Sequence, residues 1–208
     1  AGLKDDLWKL VNRTSLVSYY LLFIVFMPLV LNINLILNLW LGEAPDYAAN
    51  FCILLLVYFL FDALQAQLWM LIGATGEMKV YTIWSAVITL FNLPISWWLL
   101  SRGASIYSVF LVRVALNFLC CIIRPLYVKY LLKEFSLSNY FFEVILRTII
   151  VTSITCCVLF VLYHFIGKDN FLSIIISLSV CIVVTCLFGF NKNDKLVLLN
   201  FVKEKIHL

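Results

Sequence analysis

Charge is scarce in this sequence. Only 12% of the 208 residues are charged, whereas 64% are hydrophobic and the mean hydropathy is +1.06. So few polar residues cannot coat a soluble globule, which excludes an ordinary water-soluble domain. The apolar runs are hydrophobic on every face rather than alternating with polar residues, which excludes a β-barrel. The composition therefore predicts an all-α integral membrane protein.

Metal, redox and hydrolytic chemistry lack their usual residues. The sequence has two histidines and seven cysteines, without a CxxC pair or a ligand-spaced histidine. We therefore expect no metal, no haem or other cofactor and no disulfide framework. GxSxG and HExxH motifs are also missing from the sequence, so we do not expect an enzyme. The alternative is a lipid-modifying enzyme that uses Asp62 or His164 as an acid or base.

Six apolar stretches fill most of the chain, and each is about long enough to cross a bilayer as a helix. They lie at residues 16–37, 47–72, 80–100, 106–130, 144–165 and 171–190. The pattern predicts a polytopic helix bundle with about six transmembrane helices, four within 1–130 and two more within 144–190. We expect 131–143 to be an amphipathic interfacial linker between these two parts. A basic tail follows at 191–208.

Basic residues are distributed unevenly between the two sides of this bundle. One side holds only Arg102 and Lys168. The other side holds eleven: Lys4, Lys9, Arg13, Lys79, Lys129, Lys133, Arg147, Lys192, Lys195, Lys203 and Lys205. Because Lys and Arg are retained on the cytoplasmic side, both termini are expected to be cytoplasmic, with Trp69 and Tyr81 as interfacial anchors at inner helix ends. Topology and anionic lipid headgroups explain the net charge of +4, so we expect no nucleic-acid partner.

Polar side chains inside the spans are few, and such groups usually face a bundle interior or a water-filled cavity. Asp62 and Gln65 lie three positions apart on one face of the second span, and Trp69 continues that face. In the third span, Asn92 lies close to Pro94 near the middle of the membrane. This combination is typical of helices that bend around a transport site, although a plain kink is the simpler interpretation.

The fourth span carries a matching polar stripe. Arg113, Asn117 and Arg124 fall at intervals of four and seven, which places all three on one helical face. Along the helix axis, Asp62 is nearer to Arg124 than to Arg113, and an Asp62–Arg124 ion pair is one interpretation. The alternatives are that Arg124 extends to the inner headgroups and that Asp62 is neutralised by burial or bound to a neighbouring group. Arg113 is interpreted as part of a cavity wall, with outward extension as the alternative.

The fifth and sixth spans have a different character. Their embedded parts between 149 and 190 carry only Ser, Thr and Cys as polar groups, without a charged residue. Such helices suit a wall against acyl chains better than a water-filled pathway. We therefore expect both spans to face lipid.

Three short motifs resemble those of a known family. They are LWLGEAPDY at 39–47, GATG at 73–76 with Lys79 and Tyr81, and NLPIS at 92–96. These segments resemble the bacterial polysaccharide flippases, in particular the O-antigen and lipopolysaccharide biosynthesis exporters of the multidrug/oligosaccharidyl-lipid/polysaccharide superfamily. The likeness covers most of residues 1–150.

The resemblance implies that this chain is the C-terminal part of a longer transporter. Members of the family have twelve to fourteen helices in two six-helix bundles, and this chain matches only the second part. A start at Ala1 without Met fits a fragment. The partners implied are the lipid bilayer of the bacterial inner membrane and a missing N-terminal bundle of the same protein.

The resemblance also implies a mechanism of alternating access, in which a central cationic cavity accepts the diphosphate and sugars of a polyprenyl-diphosphate-linked glycan. Arg113 and Arg124 suit that anion because guanidinium groups bind phosphate in a bidentate manner. Asp62 is the candidate for proton or sodium coupling. In fourteen-helix relatives, the last two helices help to form a groove for the lipid tail. The alternatives are a drug or small-molecule/cation antiporter of the same superfamily and a non-transporting membrane scaffold.

Overall fold

The computed structural model describes residues 2–43, 45–166 and 171–190. Within that part the chain is 88% helical and contains no strand, and six helices are long and apolar enough to span a membrane. The predicted fold class, an all-α polytopic bundle, is therefore confirmed. The tail 191–208 and Lys168 lie outside the described residues, and the cytoplasmic placement of the termini stays a prediction.

Nine α-helices and two π-helical segments make up the described chain. The α-helices are α1 (Gly2–Leu31), α2 (Ile33–Leu41), α3 (Ala48–Ala74), α4 (Met78–Leu90), α5 (Asn92–Ser101), α6 (Ser108–Leu131), α7 (Leu137–Tyr140), α8 (Arg147–Ile166) and α9 (Phe171–Val184). The π-helical segments are Phe141–Leu146, which joins α7 to α8, and Thr185–Gly189, which follows α9.

These helices form six spans. The first to the sixth span are Asp6–Leu31, Ala48–Ala74, Met78–Ser101, Ser108–Leu131, Leu137–His164 and Phe171–Gly189. Two boundaries differ from the sequence prediction. The first helix starts before residue 16, because the apolar side chains of Trp8 and Val11 extend its packed face among the charged residues. The fifth span starts at Leu137, so the second half of the expected interfacial linker 131–143 belongs to a spanning helix.

The spans pack in an order that differs from their order in the chain. α6 contacts α3, α4 and α5, and α3 also packs against α1. α9 lies against α1 on one side and α8 on the other. The fifth span also contacts the first through Phe141–Leu146 and the fourth through α7, so the spans do not form a single row. The third span is at the edge of the bundle, and only 6% of its most apolar window is buried.

Aromatic and aliphatic side chains of the first and second spans belong to one buried core. Tyr20, Phe23, Leu68 and Ile72 are each no more than 1% exposed. Within the first span the rings of Tyr19 and Phe23 are stacked, with their centroids 5.8 Å apart. Tyr20 also meets Phe190 at the end of the sixth span, with ring centroids 5.3 Å apart.

The sixth span packs through a stripe of small residues. Every fourth position on its buried face is small: Ser173, Ser177, Cys181, Thr185 and Gly189. Small side chains allow helix backbones to approach closely within a membrane. A Cβ on Gly189 would lie 2.9 Å from Cε2 of Tyr20, which shows how close this contact is. The expectation that the sixth span faces lipid is therefore wrong for this buried face, and for the exposed opposite face it stays a prediction.

A kink separates α1 from α2. Pro28 has no N–H to donate within the helix, and Asn32 leaves helical geometry at φ −117° and ψ 26°. The Asn32 side-chain amide donates to the carbonyl oxygen of Pro28 at 3.1 Å and to Tyr163 Oη at 2.8 Å. The fifth span thus contacts the first span at the kink itself.

Candidate functional site

A polar cavity lies between the second, third and fourth spans. Its volume is about 80 Å³, and it is lined by Tyr58, Asp62, Ser85, Thr89, Asn92, Arg113, Leu116, Asn117, Cys120 and Arg124. Five of the six residues singled out in the sequence therefore lie around one space. The sixth, Gln65, is hydrogen-bonded to Asn117. A water molecule needs on the order of 10–15 Å³ of such volume, so the cavity has room for several waters or one small anion.

Gln65 and Asn117 join the second span to the fourth. Gln65 Nε2 donates to Asn117 Oδ1 at 2.9 Å, and Asn117 Nδ2 donates to the carbonyl oxygen of Tyr58 at 2.9 Å. The direction of both bonds follows from Tyr58, because a backbone carbonyl only accepts. Gln65 Oε1 is then left buried without a hydrogen-bond partner among the described residues.

Arg124 is buried two helical turns after Asn117 in α6. Its Nε donates to Tyr81 Oη at 2.6 Å, and its Nη1 donates to the carbonyl oxygen of Gln65 at 3.1 Å. The side chain is only 7% exposed, so it does not extend to the inner headgroups. The expected Asp62–Arg124 ion pair is not formed among the described residues, because a hydroxyl and a backbone carbonyl take the guanidinium hydrogens.

Arg113 lies at the open side of the cavity. Its guanidinium carbon is 4.9 Å from the centroid of the Tyr58 ring, within cation–π distance. The side chain is exposed on the protein surface, and within the described part of the chain it makes no ion pair. The Tyr58 ring therefore stabilises the positive charge of Arg113, and the guanidinium hydrogens have no hydrogen-bond acceptor among the described residues.

Asp62 and Asn92 complete the wall, and both are half-buried. Asn92 Oδ1 accepts a hydrogen bond from Ser96 Oγ at 3.1 Å within the third span. The Asp62 carboxylate has neither an ion pair nor a hydrogen bond in the described ranges. Two arginines thus face one carboxylate, and the cavity carries an excess of positive charge. Trp69, which was expected to continue the Asp62 face, is 45% exposed and does not line the cavity.

The third span contributes cavity residues that sequence reasoning missed. Tyr81 was interpreted as an interfacial anchor, whereas it is 3% exposed and accepts the Arg124 bond. Ser85 and Thr89 follow it on the cavity wall. Together with Asn92 they form a stripe at helical spacing, 81, 85, 89 and 92, and this spacing is a signal that would have found them.

A second, apolar space lies on another side of the same helix pair. It is a groove of about 950 Å³ between the second, fourth and fifth spans, with Tyr19 of the first span at its base. Leu64 lines the groove while Asp62 lines the cavity, and Ile122 lines the groove while Arg124 lines the cavity. Residues two positions apart on a helix do not share a face. The α3–α6 pair therefore separates the polar cavity from the apolar groove.

Metal ligands are not gathered anywhere in the described ranges, which contain no group of three His, Cys, Asp or Glu side chains able to hold an ion. The cysteines of this part of the chain are all free thiols. The cavity therefore presents arginine, amide, hydroxyl and carboxylate groups as its chemistry.

Three comparisons bear on the family of the chain. No protein-family model, curated protein or solved structure matches it. The likeness of its turns to those of polysaccharide flippases therefore stays a prediction, and the functional argument depends on the cavity and the groove.

Proposed function

We propose that this chain is part of a membrane transporter that flips lipid-linked oligosaccharide or polysaccharide precursors across the bacterial inner membrane by alternating access. The observation that carries the proposal is the excess positive charge of the cavity. Arg113 and Arg124 line it with a single carboxylate, Asp62, and neither arginine is paired with an acidic side chain in the described chain. Intramembrane arginines without a counter-ion favour an anionic ligand.

The size of the cavity indicates which part of such a substrate it contacts. About 80 Å³ accepts a phosphate group but not a sugar ring in addition. We therefore assign one phosphate of the diphosphate to Arg113 and its neighbours, and the other phosphate and the sugars to the space outside the cavity. Guanidinium groups bind phosphate oxygens through paired hydrogen bonds, and Arg113 has its hydrogens available.

The open side of the cavity, where Arg113 lies, also favours a second helical bundle as a partner of this chain. An exposed Arg113 and a half-buried Asp62 are costly to leave against hydrocarbon. A second helical bundle of the same protein, packed against the second to fourth spans, would enclose both residues in a larger aqueous pathway. Rocking of the two bundles would then open this pathway first to one side of the membrane and then to the other.

The apolar groove supports a lipid-linked substrate. Its walls are hydrophobic apart from a few hydroxyl groups, and its volume of about 950 Å³ suits a long isoprenoid chain. Because the α3–α6 pair separates the groove from the cavity, a lipid using both has to pass around one end of this pair. A long polyprenyl tail suits that path better than a short acyl chain.

Asp62 supports a second candidate, a drug or cation antiporter of the same superfamily. A half-buried carboxylate without a partner in the described part of the chain is suited to bind a proton, a sodium ion or a cationic drug. This candidate assigns the transported charge to Asp62, whereas the glycan candidate assigns it to Arg113. The two candidates therefore differ in which substitution abolishes transport of which substrate.

Complementation tests the proposal. The full-length gene that encodes this chain is expressed in a bacterium lacking its polysaccharide flippase, and surface polysaccharide is measured at matched membrane expression. Arg113→Ala is compared with Arg102→Ala, since Arg102 contacts Trp98 at the edge of the third span and does not line the cavity. We expect restored polysaccharide with the parent and Arg102→Ala, and loss of it with Arg113→Ala.

Two other outcomes would overturn the glycan assignment. In the first, the unmodified full-length protein is well expressed and restores no polysaccharide but lowers drug accumulation. If this activity is lost in Asp62→Asn and kept in Asp46→Asn, the protein is the antiporter. A parent without activity in either assay favours a non-transporting scaffold. Asp46 is a suitable control because it is an exposed carboxylate in the turn before α3.

A further inference from the structure

Polar side chains join the first and fifth spans at three levels. We call these contacts the polar rungs, and they are Asn12–Glu143 at 2.7 Å, Tyr19–Thr152 at 2.9 Å and Asn32–Tyr163 at 2.8 Å. The partners are 131, 133 and 131 positions apart. A sequence offset that varies by only two positions means that the two spans run parallel, rather than crossing at one point.

The rungs cover the full thickness of a membrane. At a rise of 1.5 Å per residue, Asn12 and Asn32 are separated by about 30 Å along the first span. This length equals the thickness of a typical hydrocarbon core. One rung therefore lies near each end of the spans, and the Tyr19–Thr152 rung lies between them.

Long side chains form these contacts because the backbones of α1 and α8 are not in close contact. α1 packs directly on the π-helical segment Phe141–Leu146, whereas α9 packs against both α1 and α8. The Tyr19 and Tyr163 side chains cross the remaining distance from opposite helices. The length of a tyrosine side chain thus defines the separation of the two spans.

The donors and acceptors are assigned for the Tyr19–Thr152 rung, which we call the middle rung, and for the Asn32–Tyr163 rung, which we call the outer rung. Thr152 donates its hydroxyl hydrogen to the carbonyl oxygen of Thr148 at 2.7 Å, so Tyr19 is the donor to Thr152. At the outer rung, the Asn32 amide oxygen accepts from Ser173 Oγ at 2.5 Å while its nitrogen donates to Tyr163. The outer rung therefore joins the first, fifth and sixth spans together.

Polar contacts such as these help to fix the positions of helices in a membrane. Lipid tails are as apolar as leucine, so helices in a bilayer are held together by packing and hydrogen bonds rather than by the hydrophobic effect. On its other side, the fifth span reaches the second through a long hydrogen bond, from Tyr140 Oη to the Leu64 carbonyl oxygen at 3.3 Å. That side is otherwise occupied by the apolar groove, to which Tyr19 and Thr152 both contribute.

We propose that the polar rungs hold the first and fifth spans as one parallel unit and thereby set the width of the apolar groove. The fifth span is the outer wall of the groove, and the rungs fix its distance from the first span. Loss of the rungs releases this wall from the first span, so its distance from the second and fourth spans is no longer fixed. The proposal concerns helix positions only and does not depend on the substrate proposed above.

Pulsed electron paramagnetic resonance tests this proposal with the full chain in lipid nanodiscs. Nitroxides are attached to ketone-bearing amino acids at positions 59 and 150, which leaves the native cysteines in place. Phe59 and Ile150 are each 48% exposed, lie on the second and fifth spans, and do not line the groove. The substitutions are Tyr163→Phe and Thr152→Val, alone and combined, because each removes one hydroxyl and keeps the size of the side chain.

We expect the combined variant to broaden the distance distribution and shift its mean by about 1–2 Å, the usual scale of helix shifts. Thr155→Val is the matched control, since Thr155 lies in the same helix, is fully buried and, within the described ranges, hydrogen-bonds only to the Val151 carbonyl. Its distribution should be that of the unmodified protein. An unchanged distribution in the combined variant, with intact helicity, would refute the proposal. If the combined variant does not fold, Thr152→Val alone is judged by the same criterion.

Discussion

Asn117 on the fourth span accepts a hydrogen bond from Gln65 on the second span at 2.9 Å, and both side chains are buried. This bond holds together the two helices that carry Asp62, Arg113 and Arg124. It also leaves Gln65 Oε1 as a buried acceptor without a partner in the described chain. The cavity is thus positioned by an amide pair that does not itself carry charge.

Removal of the amide at Asn117 should destabilise the bundle. Asn117→Leu leaves the Gln65 amide nitrogen unpaired and removes the side-chain bond to the Tyr58 carbonyl oxygen, and we expect a loss of about 1–2 kcal/mol in the free energy of unfolding. Equilibrium unfolding in mixed micelles measures this free energy. Gln67→Leu is the control, because Gln67 makes a longer bond of 3.3 Å to Ser18 at a half-buried position. Equal losses in both variants would contradict the assigned role of Asn117.

Tyr58 should strengthen anion binding at Arg113. Its ring lies 4.9 Å from the guanidinium carbon, and such a contact contributes about 0.5–1 kcal/mol at an exposed site. Tyr58→Leu should therefore weaken the binding of inorganic pyrophosphate by about two- to five-fold, since 1.4 kcal/mol is tenfold. Isothermal titration with the purified protein measures this change. Tyr107→Leu, in the ring pair with Tyr47 outside the cavity, should leave the affinity unchanged.

Two serines in the sixth span should respond differently to the same substitution. Ser177 is fully buried, whereas Ser179 is exposed and bonds to its own helix. Ser177→Leu places a large side chain where α9 meets its neighbours, and overpacking of this kind costs about 1–3 kcal/mol. Ser179→Leu should be neutral because the side chain points to lipid. Thermal unfolding in detergent distinguishes the two, and a destabilised Ser179→Leu variant would contradict this orientation.

Reporter fusions test the membrane orientation. Alkaline phosphatase is active only outside the cytoplasm, whereas green fluorescent protein folds well only inside it. We expect phosphatase activity after Arg102 and fluorescence after Gly76, because the basic residues lie mostly on the Gly76 side. The reverse pattern at both sites would overturn the prediction that the termini are cytoplasmic.

The spacing of residues predicts which side chains share a helix face but not how helices are rotated against each other. Intervals of four and seven are enough to place Arg113, Asn117 and Arg124 on one face. The predicted Asp62–Arg124 ion pair is wrong, because positions along the helix axes do not determine how the two helices are rotated toward each other. Its acceptors are the Tyr81 hydroxyl and a backbone carbonyl, and a carbonyl leaves no signature in a sequence.

The packing of the sixth span was missed for a different reason. Its Ser, Thr and Cys residues were treated as compatible with lipid, which is correct for their polarity. Their period of four, from Ser173 to Gly189, instead indicates close helix packing. Residue size, rather than hydrophobicity, is the signal for burial when the surrounding solvent is itself apolar.

The contact between Asn32 and Ser173 has a consequence for biogenesis. The ribosome delivers the first span to the membrane long before the sixth, since these residues are 141 positions apart. Until then, the Asn32 side chain has the Pro28 carbonyl oxygen of its own helix as an acceptor and no oxygen donor from the sixth span. Insertion of the sixth span between its two neighbours completes this site. A nascent chain that stalls earlier exposes an unsatisfied asparagine to lipid, and membrane quality control can recognise that defect.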